Sequence, residues 1–247
     1  MHPVFSTVIP TFNEEKYLPK CLVSLSRQSF QDFEIIIVDG GSSDQTVEIA
    51  RKYKRLIKQN ISIFVVKDSN VVIARDKGMR MANGEIIVGI DADTIYPGNY
   101  LKNIAGAFQH YHDTIAVVGP GKLSQAPLWA TLFWQATYTV IKLIYRCIGF
   151  IMYAPAFNLS YRKDVFLAKG GYDTTLDFGG DELDVLERLK TYGKVMYLPN
   201  IEPITSGRRY QVGMFRFFFQ HAFYYYWLNY ILRKYFGKRV IRAKPVR

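Results

Sequence analysis

Four short apolar runs alternate with amphipathic segments over the first ninety residues, and this alternation limits the fold more than any other feature of the chain. Phe5–Pro10, Phe33–Val38, Ile61–Val66 and Glu85–Ile90 read as strands. Between them Glu14–Gln28, Thr46–Tyr53 and Val72–Ala82 carry helical spacing, and Asn83-Gly84 supplies a stop for the last. The run FEIIIV at Phe33–Val38 is rich in β-branched residues, as in a strand covered on both faces. The order βαβαβαβ predicts an α/β, Rossmann-like fold: a mostly parallel sheet with right-handed crossovers, flanked by helices.

Ligands bind such sheets at the carboxyl ends of the strands. Three polar clusters fall there: Pro10-Thr11-Phe12-Asn13-Glu14, Asp39-Gly40 and Asp91-Ala92-Asp93. Their convergence on one edge makes a site. Asp91 and Asp93 flank a small residue after a buried strand, so both can reach one divalent cation. Hard oxygen ligands suit Mg²⁺ or Mn²⁺, and such an ion would neutralise charge on a leaving diphosphate. Asp39 can accept hydrogen bonds from a base or from ribose hydroxyls, although Asp-Gly is also a turn signal. The glycines form neither G-x-G-x-x-G nor G-x-x-x-x-G-K-[ST], which argues against a dinucleotide fold and a P-loop. No Cys/His cluster has zinc-type spacing.

The second half is less regular. Ala116–Val118, Phe157–Tyr161 and Lys194–Leu198 read as strands, and Asp164–Lys169 and Asp181–Tyr192 as helices. Asp181-Glu182-Leu183-Asp184 follows Gly179-Gly180 and opens the latter helix. Acidic residues are ordinary at a helix start. A positioned carboxylate or His is also what an attacking hydroxyl needs as its general base.

Charge divides the chain. The net charge is +11, but Pro203–Arg247 holds ten Lys/Arg and no Asp/Glu, so the body is near neutral and the C-terminal segment strongly basic. The same segment gathers 13 Phe, Tyr or Trp between Tyr210 and Phe236. Trp129–Tyr153 is long enough to span a bilayer. However, Gln135, Thr139, Lys142 and Arg146 line one helical face, and two charges at depth would cost on the order of several kcal/mol. The pattern suits an amphipathic helix lying in the membrane interface, with packing on the core as the alternative. Phe215–Phe236 and the basic residues after it read the same way, as a contact with anionic lipid. Single-stranded nucleic acid draws on the same residue types. Here, though, the aromatics form a nearly continuous apolar run, so a membrane surface and no nucleic acid is the expected partner. The expected division is a catalytic domain at 1–205, including 127–153, and a basic aromatic segment at 206–247. Cys21 and Cys147 do not make a disulfide framework, and no signal peptide is read at the start. The expected location is the cytoplasm, peripherally on the cytoplasmic face of the membrane.

The ordered set STVIPTFNEEKYLPKCLVSL, EIIIVDGGSSDQTVEIA, IARDKGMRMANGEIIVGIDADT, NLSYRKDVFLAKGGYD and GGDELDVLERL resembles the inverting GT-A glycosyltransferases of family 2 over about residues 4–200. The resemblance implies a GT-A fold, a nucleotide-sugar donor, inversion at the anomeric carbon and a divalent metal at Asp91 and Asp93. It implies nucleoside contacts from Pro10, Thr11, Glu14, Asp39 and Arg75. The family's acidic pair is usually Glu-Asp with the second carboxylate as base. Asp181-Glu182 therefore puts Glu182 in the base position, with Asp181 as the alternative. The family often has Asn where this chain has Asp76. Arg208-Arg209-Tyr210 loosely matches a basic and aromatic segment that closes over the diphosphate. Family habits point to GDP-mannose or a UDP-hexose as donor and to a lipid-linked or glycan acceptor. The rival reading is an inactive membrane-associated nucleotide-sugar-binding protein, and the full set of carboxylates argues against it.

Overall fold

The structure is a computed structural model that describes residues 3–151, 153–174 and 181–217. The expected alternation is present: β1 (Phe5–Thr11), α1 (Leu18–Ser26), β2 (Phe33–Asp39), α2 (Thr46–Leu56), β3 (Ile61–Val65), α3 (Val71–Met81) and β4 (Ile86–Gly89). It continues through β5 (Thr94–Ile95), α4 (Tyr100–His110), β6 (Thr114–Val118), β7 (Lys122–Ser124) and α5 (Leu128–Ile148). The rest comprises β8 (Leu159–Arg162), α6 (Lys163–Ala168), α7 (Asp181–Leu189), β9 (Lys194–Tyr197), β10 (Ile204–Ser206), a 3-10 turn at Arg208–Val212 and α8 (Met214–Arg216).

Seven strands form the central sheet in the order β3-β2-β1-β4-β8-β6-β9. β8 runs antiparallel to both of its neighbours, and the other pairings are parallel. The α/β architecture expected from the sequence, with a mostly parallel sheet flanked by helices, is therefore the one observed. β1 and β2 are buried almost along their whole length, as the β-branched runs require. Apolar layers cover both faces of the sheet. One is built on Leu18, Leu22, Leu25, Ile104 and Phe108, the other on Val72, Met79, Tyr138, Ile141 and Leu186.

The chain leaves β1 toward β2 on one side and later returns to β4 on the other, so the crevice of the sheet opens between the carboxyl ends of β1 and β4. Pro10 marks that split. The Val8 carbonyl accepts from Ile90 N–H, so Val8 faces β4, and Pro10, two residues on, faces the same side where β4 has ended. The missing proline N–H leaves no ladder bond open there.

Several boundaries differ from the sequence reading for identifiable reasons. α1 starts at Leu18, not Glu14, because Glu14 and Glu15 give their N–H groups to Thr46 Oγ1 and Asp44 Oδ2. Pro19 then fits the first turn. α7 stops at Leu189, short of Tyr192. Phe157 and Asn158 belong to a 3-10 turn, so β8 begins at Leu159. α4 was not anticipated, although Tyr100, Leu101, Ile104, Ala105 and Phe108 have helical spacing and are all buried. β5, β7 and β10 have two or three residues each and are too short to show a period. They form a second sheet in the order β5-β10-β7.

α5 carries the long apolar stretch and ends on Gly149 in the left-handed region, φ 67°. Ala130, Tyr138 and Ile141 on one face are buried against the body. Leu132, Phe133, Val140 and Leu143 on another face are exposed. Packing on the core thus holds for one face of this helix, and the other face is apolar and exposed. No helix among the described residues is long and apolar enough to cross a membrane. The helix expected at Phe215–Phe236 lies almost wholly outside the described residues, as do the basic tail after it and the Gly179-Gly180 loop.

Candidate active site

Three strand ends and one helix start build the site. Thr11 and Asp39 are register partners at the ends of β1 and β2. The Asp39 carboxylate is buried and already accepts four hydrogen bonds: Thr11 Oγ1 (2.9 Å), Ser42 Oγ (2.6 Å), Gly41 N (3.0 Å) and Ser42 N (2.8 Å). That is about the full acceptor capacity of a carboxylate. Asp39 therefore holds the loop after β2 in shape, and a ribose hydroxyl would have to displace one of these donors.

Asp91 and Asp93 lie in a tight turn after β4, closed by Thr94 N–H to the Asp91 carbonyl (3.2 Å). The Tyr96 hydroxyl caps the Asp91 N–H at 3.1 Å. Burial, then the neighbouring Asp91 charge, pushes the Asp93 pKa above its ordinary value, while Arg208 and Arg209 oppose the shift. Arg208 Nη2 is 3.2 Å from Asp93 Oδ2 and 2.5 Å from Glu14 Oε1, with Nη1 at 3.1 Å from Glu14 Oε2. Its guanidinium lies 4.7 Å from the Tyr17 ring centroid. Burial raises the Glu14 pKa, partly offset by Arg208. Arg209 is exposed and close enough to Asp93 to act on it electrostatically. Pro10 and Glu14 flank the crevice. The loose match of Arg208 to a diphosphate-closing segment thus falls on a side chain that does reach the Asp91/Asp93 turn.

Arg75 projects from the middle of α3. Gly78 lets that helix sit close on the sheet, since a Cβ there would lie 2.4 Å from Val8 Cγ1. Arg75 Nη2 contacts Asp91 Oδ1 at 3.1 Å, and Nη1 contacts Asp181 Oδ2 at 3.1 Å and Glu182 Oε1 at 3.2 Å. One buried guanidinium thus joins the Asp91 turn to the acidic start of α7. All the contacts of Arg75 named here are with carboxylates, not with the Pro10, Thr11 and Asp39 cluster with which the resemblance groups it. Burial alone would lower the Arg75 pKa, but Asp91, Asp181 and Glu182 hold it well above its ordinary value. Burial, reinforced by the charge of Asp181, drives the Glu182 pKa up, with Arg75 opposing. The Asp181 side chain is 2% exposed and that of Glu182 12%, so Glu182 is the more accessible of the two.

Asp76 has a structural role. Its Oδ1 accepts from Tyr172 N at 2.9 Å and its Oδ2 from Arg80 Nε at 2.7 Å. Gly171 beside it has φ 80°, and a Cβ there would lie 2.4 Å from Asp76 Oδ1. The departure from Asn thus anchors the chain leading toward α7. Sequence reasoning missed Tyr17 under Arg208, and Thr205, whose Oγ1 donates to Asp93 Oδ1 at 3.4 Å. A lone Tyr or Thr carries no signal of that kind.

The two carboxylates fit a divalent cation by type: hard, adjacent oxygens, with Asp91 24% and Asp93 13% exposed. Among the described residues no group of three or more His, Cys, Asp or Glu gathers at one point. The Nε–H of Arg208 is buried without an acceptor, an orphan donor that a diphosphate oxygen would satisfy.

A family model described as Glycosyl transferase family 2 matches residues 6–166. The PGL/p-HBAD biosynthesis glycosyltransferase of Mycobacterium tuberculosis is 34% identical over 118 residues, 47% of this chain and 46% of that protein. The poly(ribitol-phosphate) beta-N-acetylglucosaminyltransferase TarS of Staphylococcus aureus is 30% identical over 116 residues, 46% of this chain and 20% of TarS. The chain therefore spans about half the length, or less, of the curated relatives it matches. Among solved structures, a mannosyltransferase from Pyrobaculum calidifontis in complex with GDP-Man and Mn²⁺ is similar, with a TM-score of 0.70 and 17% identity over 83% of this chain and 57% of that one. S. aureus TarS 1–349 in complex with UDP-GlcNAc has a TM-score of 0.64 and 21% identity over 82% of this chain and 58% of that one.

Proposed function

The chain belongs to glycosyl transferase family 2, and from that premise we propose that it is a metal-dependent inverting hexosyltransferase. It moves a hexose from GDP-mannose or a UDP-hexose to a hydroxyl or phosphate of a lipid-linked or glycan acceptor. The observation that carries the reading is the Arg75 bridge, which sets a reachable carboxylate, Glu182, beside the Asp91/Asp93 turn. Asp91 and Asp93 would hold Mn²⁺ or Mg²⁺, and the bound ion supplies positive charge against the departing diphosphate. Glu182 accepts the proton of the acceptor hydroxyl as its oxygen attacks the anomeric carbon opposite the diphosphate. The bond to the diphosphate oxygen breaks and the configuration inverts. Arg208 and Arg209 supply donors to the diphosphate, and Pro10, Thr11, Glu14 and Asp39 border the nucleoside.

A thermal-shift panel of GDP-mannose, UDP-glucose and UDP-GlcNAc with Mn²⁺ tests the donor. A bound ligand at about 100 times its Kd adds roughly 2.7 kcal/mol of stability, and only the true donor should give a large shift. Asp93→Ala is expected to abolish the Mn²⁺-dependent part of that shift. An unchanged Mn²⁺ response in the variant removes Asp93 from the metal site.

Residues 206–247 work with the body at 1–205 on this reading: the first of them bring Arg208 to the donor, and the rest bear the positive charge. The outward face of α5, with Leu132 and Leu143 exposed and Lys142 and Arg146 beside them, supports peripheral attachment to anionic lipid on the cytoplasmic face. Leu132→Asp/Leu143→Asp should weaken flotation with phosphatidylserine vesicles while changing stability by no more than about 1 kcal/mol for the pair. Undiminished flotation would exclude this face as the contact.

A further inference from the structure

Both carboxylates of the Asp91-Ala92-Asp93 turn face a guanidinium, Asp91 that of Arg75 at 3.1 Å and Asp93 that of Arg208 at 3.2 Å. The two arginines are held differently. Arg75 is buried on a helix and shared with Asp181 and Glu182. Arg208 sits in a short 3-10 turn, is partly exposed, and is shared between Glu14 and Asp93. Glu14 takes its two Nη groups at 3.1 and 2.5 Å, and Tyr17 lies against the cation at 4.7 Å. Its Nε–H is buried without an acceptor.

A divalent ion on Asp93 and a guanidinium on the same carboxylate are like charges with one counter-ion between them. Both cannot keep their place at full strength. A diphosphate offers Arg208 what Glu14 and Asp93 do not: several anionic oxygens matched to its fork, with one to spare for Nε.

We infer that Arg208 and the divalent cation are alternative counter-ions of Asp93, so that metal binding transfers Arg208 from Glu14 and Asp93 to the donor diphosphate. The inference rests on the metal site of the proposed function and adds a regulation to it. Metal alone displaces Arg208 from Asp93 and leaves its guanidinium to Glu14 alone. Metal with a nucleoside diphosphate gives it a new partner and at the same time frees Glu14 to face the nucleoside. The two ligands therefore bind with positive coupling, by the same factor in either order.

The test is an electron paramagnetic resonance titration of the full chain with MnCl₂, alone and with UDP or GDP. Without nucleotide, Arg208→Gln should bind Mn²⁺ about fivefold or more tightly than the parent chain, as expected when one competing ion pair is removed. With the diphosphate the parent chain should gain more affinity for Mn²⁺ than the variant does. Equal or weaker Mn²⁺ binding by Arg208→Gln without nucleotide overturns the inference, provided Asp93→Asn lowers binding in the same assay. If Asp93→Asn has no effect, the metal site itself fails and the inference with it. A second measurement uses the unaltered protein. MgCl₂ alone should raise amide hydrogen exchange across Arg208–Val212, where Tyr210 N–H bonds to the Gly207 carbonyl at 3.0 Å. Unchanged exchange there also overturns the inference.

Discussion

Glu182→Gln is expected to lower turnover by about 10²- to 10⁴-fold, the span of general-base catalysis, while leaving donor binding intact. Gln keeps the size of the side chain and an amide oxygen to accept from Arg75 but cannot take a proton. Single-turnover transfer beside a donor thermal shift separates the two effects, and normal turnover would remove Glu182 from the base role. Asp181→Asn is the matching control for the other carboxylate. Burial and the Asp181 charge hold the Glu182 pKa above its ordinary 4.5, so kcat/KM should fall on the acid side with a midpoint above that value. The same shift has a consequence for stability. A carboxyl whose pKa is raised on folding favours the protonated form in the native state. Its stabilising contribution is complete below the unfolded pKa and is lost as pH rises through the folded one. Glu182→Gln loses no proton, so its melting temperature relative to the parent chain should rise with pH over that window. An inactive variant that gains stability at neutral pH is the signature of a group strained for its task.

Arg75→Ala is expected to be the most destabilising single substitution around the site. It leaves Asp91, Asp181 and Glu182 without their common counter-ion, and breaking a buried ion pair from one side costs about 3–5 kcal/mol. For a domain of this size that corresponds to roughly 6–20 °C in melting temperature. The loss should shrink at low pH, where the abandoned carboxylates take up protons. Arg75→Lys restores the charge but not the fork that reaches Asp91 on one side and α7 on the other. It should recover part of the stability and little of the turnover. Calorimetry at pH 5 and pH 8 on both variants decides the matter: a change for Arg75→Ala of less than about 2 °C at pH 8 means that the three carboxylates do not depend on this cation.

The placement of the acidic strand ends was legible because local signals specify it. A β-branched strand ending in Asp-x-Asp puts Asp91 and Asp93 at a carboxyl edge whatever the rest of the chain does, and strand alternation puts Thr11 and Asp39 on the same edge. The contacts that cross the fold were less visible. Arg75 carries no mark of its three partners, which lie 16, 106 and 107 residues away. Asp39 reads as a ligand residue from its place at a strand end, yet its acceptor positions are filled by Thr11, Gly41 and Ser42. The strands β5, β7 and β10 are selected by tertiary pairing alone. α5 shows the limit of periodicity. A stretch apolar on two faces has no single moment, and which face turns inward was settled by Tyr138 and Ile141 meeting the sheet layer, not by the spacing of the polar residues.

The small sheet fixes when the donor site can form. Its middle strand β10 arrives last, pairing with β5 and β7 laid down some hundred residues earlier, and Thr205 Oγ1 meets Thr94 Oγ1 at 2.9 Å across a separation of 111 residues. Closing so long a loop exacts more entropy than the local βα units do, although the cost grows only as the logarithm of length. During synthesis the chain can therefore lay down β1 to β4 and their helices well before Arg208 leaves the ribosome. A nascent chain has β1 to β4 before β10 and Arg208, so Asp93 waits for its guanidinium while Arg75 on α3 is already there for Asp91.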